Sequence, residues 1–188
     1  MAIQKVGVVG CGLMGSGIVQ VAAASGFSTV VREVSAELLD KGLKGIDKNL
    51  NRLAEKGTIT EAVKNEIRGR LKGTTKIEDL KDCDVIVEAI IEQLPAKREL
   101  FSALDAVCPA ATIFASNTSS LTITEIATAT KRPQRFVGLH FFNPVPVMKL
   151  VEVVRTIATE PAVYEEMVAF GTKLGKRRCV RTTARGLS

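Results

Sequence analysis

One glycine-rich turn near the start of the chain constrains the fold more than any other feature. It reads GCGLMG over residues 10–15, after a valine-rich run at 5–9 and before a run of small residues at 16–25. In a strand–turn–helix unit, the first glycine of G-x-G-x-x-G allows the tight turn, the second leaves room for a phosphate, and the third lets the helix pack on the strand. Together with a β-branched run at 28–31, the pattern predicts a βαβ unit that binds a dinucleotide.

Glu33 follows the second predicted strand and indicates which dinucleotide is bound. It stands 18 residues after Gly15, where an acid accepts hydrogen bonds from the adenosine ribose and repels the extra phosphate of NADP. We therefore predict NAD as the cofactor, although the neighbouring Arg32 weakens this preference. A plain glycine turn with a solvent-facing Glu33 is the alternative interpretation. The residues that this pattern predicts to contact the cofactor are Gly10, Cys11, Gly12, Leu13, Met14, Gly15 and Glu33.

The rest of the chain alternates between strand and helix patterns, with one helical insertion. Leucine and isoleucine residues spaced by four and three, a break at Gly57 and a capping box of Thr58 with Glu61 predict an amphipathic helical hairpin at about 36–72. Its apolar stripe serves either packing or the docking of a partner. Later strands are predicted at 84–89, 112–115, 136–141 and 147–154, and later helices at 95–107, 122–130 and 160–174. This alternation indicates an α/β fold with a Rossmann-type, doubly wound, mostly parallel sheet and the hairpin inserted in it.

The single histidine of the chain lies on one of the last two predicted strands. These strands flank a turn that contains Pro144 and Pro146, so we expect them to run antiparallel and to bring His140 opposite Glu152. A carboxylate bound to one ring nitrogen fixes the tautomer and leaves the other nitrogen free to take a proton. The pair is therefore a candidate acid–base dyad. A histidine satisfied within the core is the alternative.

A run of small polar residues, SNTSS at 116–120, follows the predicted strand 112–115. Ligands of open α/β sheets bind beyond the carboxyl ends of the strands, and hydroxyl and amide groups there can hold a substrate oxygen. The same residues also describe an ordinary turn with a helix cap.

Charge and cysteine usage argue against several classes of function. The net charge is +6, but residues 173–188 hold six Lys or Arg and no acid, which leaves 20 bases and 20 acids in 1–172. A neutral domain with a basic end does not indicate nucleic-acid binding. Four separated cysteines and one histidine lack metal-site spacing, and no apolar run reaches the roughly 18 residues of a membrane span. Since the first strand begins almost at Met1, we expect a cytoplasmic protein with reduced thiols and no signal segment.

Four longer stretches resemble the 3-hydroxyacyl-CoA dehydrogenase family, close to its bacterial 3-hydroxybutyryl-CoA members. They are GCGLMGSGIVQVAA (10–23), VIVEAIIEQLPAKRELF (85–101), ASNTSSLTITEIA (115–127) and GLHFFNPVPVMKLVEVV (138–154). The resemblance implies NAD-dependent oxidation of 3-hydroxyacyl-CoA, in particular 3-hydroxybutyryl-CoA, to 3-oxoacyl-CoA, or the reverse, as in fatty-acid β-oxidation and butanoate metabolism.

The family's catalytic roles fall on four residues of this chain. By the resemblance, His140 is the general base that takes the 3-hydroxyl proton as hydride passes to the nicotinamide, and Glu152 orients it. Ser119 hydrogen-bonds the substrate oxygen, and Asn143 lines the same site. Both Ser119 and Asn143 are also expected to face the cofactor.

The resemblance implies further contacts with NAD and with coenzyme A. Glu92 and Lys97 match positions that contact NAD. The helical hairpin matches the family's CoA-binding arm, in which Lys56 is placed to meet a CoA phosphate and Asn49 is a weaker candidate, with Ser119 at the acyl end. An acyl-CoA is thus the expected substrate and partner.

The chain departs from the family after Gly175-Lys176. The family continues with a strand, a Pro-Gly-Phe motif, an active-site Asn and a helical domain that forms a homodimer and covers the substrate. We predict an NAD-binding domain at 1–176, a divergent basic tail at 177–188 and no C-terminal helical domain. A truncation with a shifted reading frame or a cloning remnant is one explanation. Such a chain is expected to bind NAD but to turn over acyl-CoA weakly or not at all.

Two other functions remain open at this stage. One is another Rossmann-type β-hydroxyacid dehydrogenase, which is expected to use a catalytic Lys instead of a His–Glu pair. The other is a non-catalytic protein similar to λ-crystallin, whose sequence is related to the family.

Overall fold

The computed structural model describes the backbone of residues 3–182 and the side chains of residues 3–177. In this part of the chain, one eight-stranded sheet has the order β3-β2-β1-β4-β5-β6-β7-β8. Strands β1 to β6 are mutually parallel, β7 runs antiparallel to β6, and β8 is parallel to β7. The strands are β1 (Lys5–Val9), β2 (Ser28–Arg32), β3 (Leu71–Thr74), β4 (Val85–Glu88), β5 (Ile113–Ser116), β6 (Phe136–Phe141), β7 (Leu150–Arg155) and β8 (Arg177–Thr182). The predicted Rossmann-type, mostly parallel sheet is confirmed.

Helices cover both faces of this sheet. They are α1 (Leu13–Ala24), α2 (Ala36–Glu55), α3 (Glu61–Gly69), α4 (Leu94–Val107), α5 (Ile123–Ala127) and α6 (Pro161–Lys173), with short 3₁₀ turns at Ile77–Leu80 and Pro133–Arg135. Two separate hydrophobic clusters fill the two interfaces, one with α1 and α6 and the other with α4 and α5. Neighbouring strand residues alternate between the clusters, as Ile86 and Val87 do, because successive side chains point to opposite faces. None of the helices within residues 3–182 is long and apolar enough to cross a membrane.

The inserted hairpin is present as α2 and α3, but its second helix begins later than predicted. Thr60, and not Thr58, accepts the capping hydrogen bond, from the backbone N of Val63 at 3.2 Å. Gly57 has a φ of +68° and ends α2, and the amide of Thr58 donates to Leu53 O. Thr58 therefore belongs to the end of the first helix, so the predicted capping box of Thr58 with Glu61 is wrong.

Strand β3 was not predicted, because the hairpin was expected to continue to about residue 72. Leu71 continues the helical spacing of the residues before it, yet it pairs with Thr29 of β2. The strand has only four residues, LKGT, and its lysine and glycine have low strand propensity. Its position is set by packing, since a Cβ at Gly73 would lie 3.0 Å from Leu43 Cδ1 of α2.

The sheet continues past the predicted domain boundary at residue 176. Arg177–Thr182 pairs with β7 over its whole length, from Leu150↔Arg177 to Arg155↔Thr182. The first half of the predicted basic tail is thus a strand of the same sheet. The remainder of that tail, 183–188, lies outside the described residues.

Candidate active site

The glycine turn between β1 and α1 has the sterics that its sequence pattern requires. Gly10 has a φ of +97°, and a Cβ there would lie 2.5 Å from Ala89 O. A Cβ at Gly15 would lie 1.9 Å from Gly10 O, whereas a Cβ at Gly12 would meet nothing within 4 Å. The first and third glycines are therefore needed for backbone contact, and the second borders open space.

Glu33 links the end of β2 to the glycine turn. Its Oε1 accepts a hydrogen bond from Cys11 N at 2.7 Å, and its Oε2 accepts one from Val34 N at 2.8 Å. The carboxylate borders a cavity of about 570 Å³ between β2 and α4. Apolar and small residues dominate the walls of this cavity, namely Gly10, Gly12, Val34, Leu38, Ile77, Ala89, Ile90, Ile91, Ala96, Leu100 and Ala103.

Cys11 joins the turn to helix α2 by close packing. A Cβ at Gly42 would lie 2.3 Å from Cys11 Sγ, so α2 approaches the turn as closely as a glycine permits. Burial, and secondly the charge of Glu33, raise the pKa of the Cys11 thiol to about 11. The thiol is therefore a packing group and not a nucleophile at neutral pH.

His140 and Glu152 are direct cross-strand partners in the antiparallel pair β6–β7. His140 Nδ1 lies 3.0 Å from Glu152 Oε2, and the two side chains are 22% and 13% exposed. When Nδ1 carries the proton, it donates a hydrogen bond to the carboxylate, and the lone pair of Nε2 is then available to accept a proton. The predicted opposition of the two residues is confirmed.

A second cavity, of about 340 Å³, brings together several of the predicted site residues at the carboxyl ends of the central strands. It is lined by Glu92, Ser119, His140 and Asn143, which come from three different loops and one strand. The complete lining is Met14, Ala89, Ile90, Glu92, Asn117, Ser119, His140, Phe141, Phe142 and Asn143. A pocket that offers one imidazole and one serine can hold a small oxygen-bearing substrate and exchange a proton with it.

Glu92 organises the polar run at residues 116–120. Its Oε1 accepts hydrogen bonds from the hydroxyl of Thr118, from Ser119 N at 3.2 Å and from Ser120 Oγ at 3.2 Å. Burial raises the pKa of Glu92, but the hydrogen bonds from Thr118 and Lys97 outweigh it, so the pKa lies below its usual value. The carboxylate is thus ionised at neutral pH and fixes the position of Ser119. The turn interpretation also holds in part, because Thr118 Oγ1 accepts from Leu121 N at 3.0 Å.

Residues 5–184 match the family model described as "3-hydroxyacyl-CoA dehydrogenase, NAD binding domain". The chain belongs to the 3-hydroxyacyl-CoA dehydrogenase family. The predictions of this family and of an NAD-binding domain are thereby confirmed.

Individual members of the family are similar over nearly the whole chain. A 3-hydroxybutyryl-CoA dehydrogenase of Bradyrhizobium diazoefficiens is 47% identical over 178 residues, which are 95% of this chain and 61% of that protein. The crystal structure of 3-hydroxybutyryl-CoA dehydrogenase from Escherichia coli K12 has a TM-score of 0.96 at 40% identity and covers 99% of this chain and 39% of that one. The (S)-3-hydroxybutyryl-CoA dehydrogenase of Ralstonia eutropha has a TM-score of 0.95 at 39% identity, over 98% of this chain and 65% of that one. The chain therefore spans about three fifths of the length of its curated relatives.

The family resemblance places Lys97 at the NAD, but in this structure its side chain is buried against Glu88 and Glu92. It is 1% exposed, and its Nζ lies 2.5 Å from Glu88 Oε1 and 3.1 Å from Glu92 Oε2. Glu88 is also fully buried and accepts from Ser116 Oγ at 2.6 Å. Removing one member of such a buried pair typically costs about 3–5 kcal/mol, because it leaves the other charge uncompensated. Lys97 thus holds Glu92 in place, and its direct contact with NAD stays a prediction.

Sequence reasoning gave no individual role to two residues that support the candidate site. One is Glu88, whose only signal was an acid at the end of an apolar strand, as at Glu33. The other is Asn117, whose Oδ1 accepts from Phe141 N at 2.8 Å. The pairing of β5 with β6 ends at Ser116↔Gly138, so the Asn117 side chain replaces the next ladder bond beside His140.

The arm residues predicted to meet coenzyme A do not line the cavity of His140. Asn49 donates from Nδ2 to Gln20 Oε1 at 2.7 Å and lines a cavity of about 140 Å³ that it shares with Asn143. Lys56 is exposed at the end of α2 and lines none of the cavities described here. Both assignments stay predictions.

No metal centre is found over residues 3–177, where no three His, Cys, Asp or Glu side chains are grouped to bind an ion. Cys11, Cys83 and Cys108 are free thiols in this part of the chain. The side chain of Cys179, the fourth cysteine, lies outside the described residues.

Proposed function

We propose that this chain is the NAD-binding and catalytic half of an NAD-dependent 3-hydroxyacyl-CoA dehydrogenase that acts on 3-hydroxybutyryl-CoA. The observation that carries the proposal is the 3.0 Å contact of Glu152 with His140, whose side chain lines a cavity together with Ser119 and Asn143. The names of the relatives support the acyl-CoA substrate.

The residues of the glycine turn fit NAD. The open space at Gly12 leaves room for a pyrophosphate, and the apolar cavity beside Glu33 suits an adenosine whose ribose hydroxyls meet the carboxylate. When bound, NAD supplies the acceptor for the hydride from C3 of the substrate, or the donor in the reverse direction.

His140 moves the proton that accompanies this hydride. In the oxidation, its Nε2 takes the proton of the 3-hydroxyl group as the C3–H bond breaks and the C=O bond forms. The imidazolium that results is stabilised by the Glu152 carboxylate at Nδ1. In the reduction, the same Nε2 returns the proton to the alkoxide oxygen. Ser119 and Asn143 orient the substrate oxygen toward Nε2.

The test is to replace His140 by Gln, in this chain and in a longer protein that carries the family's C-terminal region. General acid–base groups contribute about 10²–10⁴-fold in rate, so kcat for acetoacetyl-CoA reduction should fall by that factor while the Kd for NADH hardly changes. Glu152→Gln should also be slow, because a neutral amide supports the imidazolium poorly.

Calorimetric titration with NADH and a rate assay with acetoacetyl-CoA measure these two quantities. Near-normal turnover in either variant would remove the dyad from the mechanism. Binding of NADH without turnover in the longer protein would instead favour a non-catalytic role.

A further inference from the structure

Lys176 is a buried cation that the proposed mechanism does not use. It lies between the end of α6 and the start of β8 and is 8% exposed. Its Nζ donates to Val145 O at 2.5 Å and to Met148 O at 2.7 Å. Burial holds the pKa of Lys176 below its usual value. The two carbonyl oxygens replace hydrogen bonds to water that the ammonium loses on burial.

Both carbonyls belong to the turn that joins β6 to β7. Pro144 and Pro146 carry no N–H, and the amides of Val147 and Met148 both donate to the same atom, Pro144 O. On its other side, the turn packs on α1, where a Cβ at Gly17 would lie 2.8 Å from Val145 Cβ. The turn is therefore held between α1 and the Lys176 ammonium.

The position of this turn decides where three site residues lie. Asn143 lies within this turn, and His140 and Glu152 stand on the two strands that it joins. Because α1 begins at the glycine turn, contact between Val145 and α1 also sets the distance from the dyad to the cofactor site. We propose that Lys176 is a positioning residue, whose ammonium fixes the β6–β7 turn so that His140 and Asn143 face the cofactor. Its kinetic consequence rests on the proposed function, but its geometric consequence does not.

The chain offers a direct spectroscopic reporter and a matched control for this proposal. His140 is the only histidine, so the imidazole signals of a ¹⁵N-labelled sample report on it alone. Lys173 lies exposed at the end of α6, three residues before Lys176. Lys173→Met and Lys176→Met remove the same charge and leave a side chain of similar length.

In folded Lys176→Met we expect the ring nitrogen signals of His140 to move, because the carboxylate bond at Nδ1 loosens. With acetoacetyl-CoA and NADH, kcat should fall by about 10- to 100-fold, since a misplacement near 1 Å has this effect, while the Kd for NADH stays within about threefold. Lys173→Met should match the unmodified chain in all three measurements, and Lys176→Arg, which keeps a donor, should recover part of the loss.

Unchanged His140 signals in folded Lys176→Met would overturn the proposal, as would equal effects of the two methionine variants. If Lys176→Met does not fold, Lys176→Gln takes its place. If all Lys176 variants fail to fold while Lys173→Met folds, the residue serves stability and the positioning role is rejected. Absence of NADH binding by the unmodified chain would contradict the proposed function alone, because the His140 signals need no ligand.

Discussion

At the scale of single residues, the carboxylate of Glu33 has two roles. It closes the glycine turn through Cys11 N and borders the cavity proposed for adenosine. Glu33→Gln removes the charge but keeps an acceptor oxygen, so we expect the affinity gap between NADH and NADPH to narrow by about tenfold, or 1.4 kcal/mol. Glu33→Ser removes the charge and leaves only a shorter hydroxyl, so it should also weaken NADH binding itself.

Parallel titrations of both cofactors measure these effects. Equal affinities for NADH and NADPH in the unmodified chain would show that Glu33 does not select the cofactor.

At the scale of elements, Asn117 takes over the strand pairing beside His140, where β5 has ended. Asn117→Ala removes the acceptor for Phe141 N and leaves an amide near the pocket unsatisfied, which costs about 1–3 kcal/mol. We expect a lower melting temperature and a lower kcat for acetoacetyl-CoA reduction. Asn117→Asp keeps the acceptor and should retain more of both.

Thermal unfolding and kinetics of the two variants make this comparison. Equal losses in Ala and Asp would show that the Phe141 N bond is not the reason for either effect.

Prediction from sequence succeeded for elements with a local signal. The bounds of β1 and β6 were predicted correctly, since both are apolar runs that end at a turn. Strand β3 was missed because Leu71 fits a helical period and its pairing with Thr29 is a long-range contact. The Lys97–Glu88 ion pair could not be predicted from the sequence either, because it depends on how α4 packs over the end of β4. The opposition of His140 and Glu152 could be predicted, since a short turn fixes their register.

At the scale of the whole molecule, the described residues hold the complete glycine turn and the dyad in one sheet. The relatives extend by about two fifths beyond the matched region. For these 188 residues taken alone, we predict NADH binding but slow turnover, because an open pocket admits water and offers the acyl-CoA fewer positioning contacts.

The measurement compares this chain with a chimera in which residues 1–176 are joined to the C-terminal region of the Bradyrhizobium relative. The chimera should bind NADH with similar affinity and reduce acetoacetyl-CoA about 100-fold faster or more. Equal rates would show that the added region is dispensable. A chain that neither unfolds cooperatively nor binds NADH would show that the nucleotide half does not fold by itself.

The contact of Cys11 with Gly42 has a consequence for how two ligands communicate. Helix α2 is the first helix of the proposed coenzyme A arm, and its early turns pack on the glycine turn so closely that no side chain fits between them. A movement of α2 on binding acyl-CoA would therefore also move the glycine turn. If acyl-CoA binding shifts α2, we expect heterotropic coupling, in which each ligand would change the affinity of the other by the same factor.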